Sequence, residues 1–194
     1  MRLRWQRLTT RLSLQLNCSM GAIRRLRADE IEVRAAQVKK NAKGSVYASL
    51  LLYKDARVDM RLLDETFGPM NWQRSHEIID GKLYCTISVW DAEKKMWISK
   101  QDVGTESNTE KEKGQASDAF KRAGFNVGIG RELYTAPNIY VQLGEGEWKE
   151  STFNNKTTQQ MTQTFYVQHI EYDDDGNIIG LIINDKKGNQ RFRK

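Results

Sequence analysis

The sequence predicts an α+β protein: an antiparallel β-meander sheet packed by helices, with an extra C-terminal β-hairpin unit. Residues 72–79 and 96–103 flank a central alternating run, and Asp80-Gly81 is the strongest short hairpin signal in the chain. Residues 110–127 carry apolar side chains at helical spacing, so a helix should lie across one face of this sheet. Residues 163–194 alternate again around glycine-containing turns, which predicts the C-terminal unit.

The first half of the chain is predicted to form a helix, a strand and a second helix. A helix is expected over 28–43, because apolar residues share one helical face and Gly44 is a suitable stop. Those residues are Ile31, Ala35, Val38 and Ala42. The β-branched and leucine-rich run 46–53 predicts a buried strand. Asp55 can cap the next helix, predicted over 56–67, in which Arg57 and Arg61 are expected to face solvent.

Segment 110–127 is predicted to bury one side and to carry cations on another. Its apolar stripe consists of Ala116, Ala119, Phe120, Ala123 and Val127. At about 100° per residue, this stripe is centred far from Arg122, whereas Lys111 lies within about 20° of Arg122. Lys113 and Lys121 flank that direction. The helix therefore holds several cations away from its buried side.

Both ends of this helix carry termination signals. Thr109 with Glu112 forms a potential capping box at the start. Gly124, Gly128 and Gly130 allow the backbone to leave the helix and to pass close to another group. The last two glycines form a Gly-x-Gly segment after a helix, whereas dinucleotide-binding glycines follow a strand and open a helix. A dinucleotide site is therefore rejected.

Two interpretations of the cations are open from spacing alone. They can form an ordinary solvated helix face, neutralised by Glu110, Glu112 and Asp118. They can instead form a phosphate-contacting surface, since Lys and Arg are the residues that bind a nucleic-acid backbone.

A family resemblance rests on residues 62–75 (LLDETFGPMNWQRS), the hairpin after them, and 102–134 (DVGTES…EKGQASDAFKRAGFNVGIGRELY). These segments resemble the Rad-fifty-two-type single-strand annealing proteins, which include the eukaryotic recombination mediator and many phage recombinases. The shared order is a helix ending in Phe-Gly, an early Trp, a β-meander, a polar Gly-Glu loop and a helix with Asp-x-x-Lys-Arg-Ala. The final Gly-Ile-Gly-Arg-Glu-Leu-Tyr is more similar to phage members, and the resemblance covers roughly 45–135.

The resemblance implies an oligomeric, ATP-independent protein that binds single-stranded DNA and anneals complementary strands in recombination and repair. In the family, the Lys-Arg pair of this helix contacts the DNA backbone, and it falls on Lys121 and Arg122. A basic residue about two turns earlier falls on Lys113. Eukaryotic members carry a further Arg just after the pair, where this chain has Gly124 and Phe125.

Residues outside the family motif extend the predicted DNA-binding surface. Lys111 lies on the cationic side of the helix, and Arg131 follows the glycine-rich turn. Three tryptophans of the meander have two interpretations: they stack bases, or they pack as cross-strand pairs. They are Trp72, Trp90 and Trp97.

Composition places limits on the class of protein. The 194-residue chain carries a net charge of +6, but residues 1–20 contain four arginines and no acid, which leaves only +2 elsewhere. Any DNA-binding surface must therefore arise from local clustering. Two cysteines, Cys18 and Cys85, exclude a disulfide framework and favour a reducing compartment, predicted to be the cytoplasm of a bacterium or phage-infected host. No apolar run approaches the length of a membrane helix.

The predicted domain organisation has four parts. Residues 1–19 are expected to lie outside the fold, as an extension from an upstream start, an organellar transit peptide or a basic arm. The core domain spans 20–143 and ends in a strand. Residues 144–162, rich in Gly, Asn, Thr and Gln, are predicted to be a mobile loop. Residues 163–194 form the C-terminal β-hairpin extension, which packs on the core sheet or serves a neighbouring subunit.

The sequence predicts neither an enzyme nor a cofactor. It contains no phosphate-binding loop, and neither His76 nor His169 has metal ligands at a suitable spacing. One acidic cluster resembles the carboxylates of a magnesium nuclease, and it consists of Asp102, Glu106 and Glu110 with Lys113. Acids in the first turn of a helix are also favoured by the helix dipole, so they need no metal to explain them.

We therefore predict a single-stranded DNA-binding protein that anneals complementary strands as an oligomeric ring or arc. Its expected partners are single-stranded DNA, further copies of itself, and a phage or host exonuclease or single-strand-binding protein. Two alternatives remain open. One is a structural or interaction protein that uses its C-terminal strands and meander edge. The other is a plain coating protein of phage replication, which would bind single strands but retard their pairing.

Overall fold

A computed structural model of the chain describes residues 22–105, 111–153 and 156–194. The predicted α+β class is confirmed, since two α-helices accompany antiparallel sheets in these residues. One sheet has three strands, one has six and one has two. In the part of the chain that the structure describes, no helix is both long and apolar enough to span a membrane.

The predicted helix over 28–43 is wrong, because most of this segment forms strand β1 (Glu32–Lys40). It pairs antiparallel with β2 (Val46–Tyr53), the strand that the sequence predicted. A bulge between Ala35 and Gln37 shifts the register, so Val33 and Val38 both lie opposite inward-facing residues of β2 although they are five positions apart. The bulge thus breaks the two-residue alternation by which a strand is recognised.

The predicted second helix and meander are confirmed. Helix α1 (Ala56–Phe67) begins where the Asp55 carboxylate accepts a hydrogen bond from the Arg57 N–H at 2.8 Å. Three antiparallel strands follow: β3 (Trp72–Ile79), β4 (Lys82–Asp91) and β5 (Met96–Val103). Asp80 and Gly81 join the first two, with φ of 49° and 73°, as a tight hairpin turn with two left-handed residues requires.

Helix α2 (Lys111–Val127) lies on the meander through its predicted apolar stripe. Ala119, Phe120 and Ala123 are fully buried, and they share the hydrophobic core with alternate residues of β4. Those residues are Cys85, Ile87 and Val89. Burial raises the pKa of the Cys85 thiol to about 11, as expected for an inert core cysteine.

The second half of the chain completes the large sheet. After α2 come a short 3₁₀ helix (Arg131–Thr135) and six strands: β6 (Ile139–Leu143), β7 (Trp148–Phe153), β8 (Lys156–Met161), β9 (Phe165–Tyr172), β10 (Ile178–Asp185) and β11 (Gln190–Arg193). The sheet order is β11-β10-β9-β1-β2-β6. The C-terminal strands therefore join the same sheet as β1 and β2 rather than the meander.

A side-chain clasp brings the two ends of the six-stranded sheet together. Arg191 on β11 donates to the Gln142 carbonyl of β6 at 2.6 Å and to the Glu147 carboxylate at 2.6 Å. The sheet is thus nearly closed. Glu147 lies within 144–162, the predicted mobile loop, in which the structure instead has two paired antiparallel strands, β7 and β8. Polar β-branched residues such as Thr157 support this exposed pair although they give it no apolar face.

Candidate nucleic-acid interface

A groove of about 310 Å³ lies between α2, the end of β2 and the 3₁₀ helix, and it contains Lys121 and Arg122. Lys54, Phe125 and Tyr134 also line it. We refer to Lys54, Lys121, Arg122, Phe125 and Tyr134 as the cationic groove; Asp118 also lines it, and its carboxylate accepts a hydrogen bond from the Thr105 N–H at 2.9 Å. The two residues in which the sequence analysis placed most weight are thus brought together at one open surface feature.

The apolar side of α2 fixes the direction of this cation pair. Phe120 is fully buried and stacks on Trp72, with ring centroids 6.3 Å apart. Ala123 is fully buried as well. Because Lys121 and Arg122 lie between these two positions, the helix turn directs them away from the core and into the groove.

Among the described residues, Arg122 has one long contact with an acidic neighbour. Its Nε lies 3.4 Å from Asp102 Oδ1, and 43% of the side chain is exposed. The other Asp102 oxygen accepts from the Asn126 amide at 3.3 Å. A guanidinium has five N–H donors, and among the described residues only the Nε of Arg122 is engaged. In the part of the chain that the structure describes, no carboxylate oxygen lies within 4 Å of the Lys121 ammonium nitrogen.

Asp102 is therefore expected to compete with a phosphate for Arg122. Replacing Asp102 with Asn should increase the affinity for single-stranded DNA by about threefold, which corresponds to the 0.2–1 kcal/mol of a partly exposed ion pair. Fluorescence anisotropy of a labelled oligonucleotide at low salt would measure the change. Asp174→Asn, in the exposed β9–β10 turn, removes the same charge elsewhere and is the control. Equal gains in both variants would show a general charge effect and contradict the role of Asp102.

A buried ion pair lies beneath the groove. Lys54 at the end of β2 and Asp59 on α1 contact each other directly, with side chains 2% and 0% exposed. Burial lowers the pKa of Lys54, and burial also raises the pKa of Asp59 to about 6 against the opposing effect of Lys54. Lys121 is near enough to act on both pKa values by its charge. The Lys54 ammonium also lies 4.6 Å from the centroid of the Phe125 ring.

Two of the glycines at the end of α2, Gly124 and Gly130, leave space for this ion pair. A Cβ on Gly124 would collide with Asp59 Oδ1, and a Cβ on Gly130 would lie 2.6 Å from Lys54 Cε. Gly130 also has a φ of 73°, in the left-handed region. The glycine-rich end of α2 was predicted to pass close to another group. That group is the Lys54–Asp59 pair.

The other predicted DNA-binding residues are placed differently. Arg131 donates from Nε to the Phe125 carbonyl at 2.6 Å and from Nη2 to the Asn126 carbonyl at 2.8 Å. It therefore caps the C-terminal end of α2, where free carbonyls and the helix dipole favour a cation. Lys111 and Lys113 are on the first turn of α2, and their side chains lie outside the described residues, as does the predicted capping box.

The tryptophans of the meander have packing partners. Trp72 stacks on Phe120 and donates from its indole nitrogen to Asp64 Oδ1 at 2.7 Å. Trp90 and Trp97 form an edge-to-face pair across β4 and β5, with centroids 5.6 Å apart. The Trp90–Trp97 contact supports the cross-strand packing interpretation, whereas Trp72 packs against helix α2 rather than against a neighbouring strand.

The candidate metal ligands are not assembled in the described structure. Within residues 22–105, 111–153 and 156–194, no group of three or more His, Cys, Asp or Glu residues is placed to hold a metal ion. Among the described residues, the His169 ring is hydrogen-bonded to Glu171, at 2.9 Å, and Asp102 is engaged by Arg122 and Asn126. Glu106 and Glu110 of the acidic cluster lie outside the described residues.

Sequence reasoning missed three residues of the groove: Lys54, Phe125 and Tyr134. One signal for Lys54 was present, because Asp59 lies on the core face of α1 beside Val58 and Leu62. An acid on an apolar face requires a buried cationic partner, and Lys54 and Arg57 are the two cations that closely precede it in the chain. Tyr134 gave no such signal, since it reaches the groove only through the 3₁₀ helix.

Comparisons with known proteins gave no match: none was found among protein-family models, curated proteins or solved structures. The features of this chain that bear on its function are therefore the groove and the sequence pattern of residues 62–75 and 102–134.

Proposed function

We propose that this chain belongs to the proteins that bind single-stranded DNA through a groove with cations and aromatic side chains. More particularly, we propose that it is an ATP-independent annealing protein of DNA recombination and repair. The observation that carries the proposal is the placement of Lys121 and Arg122 in an open groove, on a helix whose opposite side is buried. The resemblance of residues 62–75 and 102–134 to annealing proteins supports the same assignment.

In the proposed mechanism, the protein holds the backbone and the bases do the recognition. Lys121 and Arg122 bind phosphates, an interaction that is independent of sequence. Complementarity is then tested by base pairing between strands, so the protein needs no sequence-specific contacts. Because the free energy of annealing comes from the duplex itself, no nucleotide hydrolysis is required.

Several subunits are needed for tight binding in this mechanism. One groove offers few phosphate contacts, whereas copies aligned in a ring or arc add their contacts along one strand. Among the described strands, β3 and β5 each pair on one side only, which leaves open edges at which further copies can add. Accessory partners consistent with this function are an exonuclease that exposes single strands, or a single-strand-binding protein, in the cytoplasm of a bacterial or infected cell.

An annealing assay without nucleotide tests the proposal. Two complementary oligonucleotides carrying a donor and an acceptor dye are mixed with the full chain, and energy transfer reports pairing. We expect pairing to be accelerated without ATP, and the effect to weaken steeply with added salt. Retarded pairing would identify a coating protein instead. Absence of a mobility shift at two salt concentrations, with a monomer by light scattering, would favour the interaction protein.

A further inference from the structure

An exposed tyrosine stands on a rigid support at the cationic groove. Tyr134 is 75% exposed, yet the 3₁₀ helix that carries it is anchored on both sides. The buried Glu132 carboxylate accepts the Leu26 N–H at 2.7 Å. The Thr135 hydroxyl accepts the Ile178 N–H at 2.8 Å. Tyr134 is therefore held in place by its neighbours while its own ring meets solvent.

Further contacts hold the ring at the groove. The Phe125 ring lies 5.0 Å from that of Tyr134, at an interplanar angle of 56°, and supports it from the α2 side. Arg131, immediately after the left-handed Gly130, is hydrogen-bonded to the end of α2. An exposed aromatic ring usually gains burial or freedom. The Tyr134 ring is exposed, but the backbone that carries it is anchored on both sides. A ring that is held in place without being buried is preorganised for binding.

The chemistry of the surroundings selects the ligand. Tyr134 shares one groove with Lys121 and Arg122, so an aromatic platform lies beside two cations. Single-stranded nucleic acid is recognised by this pairing, in which cations follow the backbone and aromatic rings stack on the bases. In a duplex the base faces are covered by their neighbours, and a side chain reaches them only after unstacking.

We propose that Tyr134 stacks on an unpaired base of the strand whose phosphates Lys121 and Arg122 bind, an inference that rests on the proposed function. Stacking occupies the face of a base and leaves its Watson–Crick edge free. The platform therefore favours single strands over duplex while it still permits the bound bases to pair with a complementary strand. Since every base has an aromatic face, the preference is independent of sequence.

A probe without bases separates stacking from phosphate binding. Fluorescence anisotropy would compare a labelled oligothymidine with an abasic deoxyribose-phosphate strand of equal length and charge. We expect the full chain to bind oligothymidine more tightly. Tyr134→Ala should weaken oligothymidine binding by at least about fivefold, the smallest effect of one lost base–aromatic stack. The affinity of the Tyr134→Ala variant for the abasic strand should equal that of the unaltered protein.

Three further variants make the test specific. Tyr134→Phe keeps the ring and should retain the preference for bases, whereas Tyr134→Leu keeps only apolar surface and should lose it. Tyr140→Ala removes a tyrosine that is 63% exposed on β6 outside the groove, and it should bind both probes normally. A preference for bases that survives Tyr134→Ala, or is lost equally in Tyr140→Ala, would overturn the inference.

Failure of the inference differs from failure of the proposed function. If the protein binds the abasic strand through Lys121 and Arg122 but Tyr134→Ala leaves oligothymidine binding unchanged, only the stacking role is overturned. If the unaltered protein binds neither probe, the proposed function fails, and the stacking role fails with it.

Discussion

Replacing Lys121 and Arg122 together with alanine should weaken the binding of single-stranded DNA by at least about 100-fold. Each charge-assisted hydrogen bond to a phosphate contributes roughly 1.5 kcal/mol, and two such losses amount to about 3 kcal/mol. Among the described residues, neither side chain forms an ion pair with a fully buried carboxylate, since the Asp102 side chain is 25% exposed. The fold should therefore survive, as circular dichroism and the oligomer size would show. A mobility shift or anisotropy titration measures the affinity.

Salt dependence gives this experiment a second readout. The logarithm of the binding constant falls with the logarithm of salt concentration, with a slope of about −0.7 for each phosphate neutralised on a single strand. The double variant should therefore show a shallower slope than the unaltered protein. Lys186→Ala with Lys187→Ala is the matched control, because it removes two adjacent exposed lysines in the β10–β11 turn. That control should bind with normal affinity and slope.

Three outcomes of this comparison have different meanings. If both double variants lose affinity equally, binding reflects net charge and the cationic groove has no special role. If neither loses affinity, the basic face of α2 is only solvated, and the interaction protein becomes the better assignment. Loss confined to Lys121 and Arg122 would support the groove.

The sequence predicts local elements of this fold well, because their signals are local. Asp80-Gly81 defines its hairpin turn by backbone preference alone, and the stripe around Phe120 defines the buried side of α2. Strand β1 was missed because its bulge hides the alternation that marks a strand. The closure of the large sheet was not predictable, since Arg191 and Glu147 are 44 residues apart.

The residues of the candidate site also divide into those that the sequence predicts and those that it does not. Lys121 and Arg122 could be selected from helical geometry and family resemblance, since both kinds of information are contained in a short segment. Arg131 looked similar by sequence but caps α2, because the chain turns back at Gly130 and brings its guanidinium to the last carbonyls. Lys54 enters the groove only through a tertiary contact between β2 and the glycine-rich end of α2. The acid on the apolar face of α1 indicates a buried cation but does not identify Lys54, because Arg57 precedes Asp59 more closely.

Lys54→Met should lower the free energy of unfolding by about 3–5 kcal/mol, the cost of removing one partner of a buried ion pair. Asp59 would then be buried with neither oxygen hydrogen-bonded, since its Oδ2 already has no partner among the described residues. Typical domains are stable by about 5–15 kcal/mol, so this single change should bring the protein close to unfolding. Urea denaturation would measure the loss. Lys43→Met, in the exposed β1–β2 turn, should change stability by less than about 0.5 kcal/mol.

The effect of Lys54→Met should also depend on pH in a defined direction. Burial raises the pKa of Asp59 from 3.8 to about 6 even with Lys54 present, and removal of that cation should raise it further. A carboxyl with a raised pKa in the folded state stabilises the protein when protonated, and this contribution is lost as the pH rises through the folded-state pKa. The stability loss should therefore be larger at pH 8 than at pH 5. Asp59→Asn in the same variant should recover part of the loss at pH 8 and remove the pH dependence. A loss independent of pH would show instead that the methylenes of Lys54, rather than its charge, support the floor of the groove.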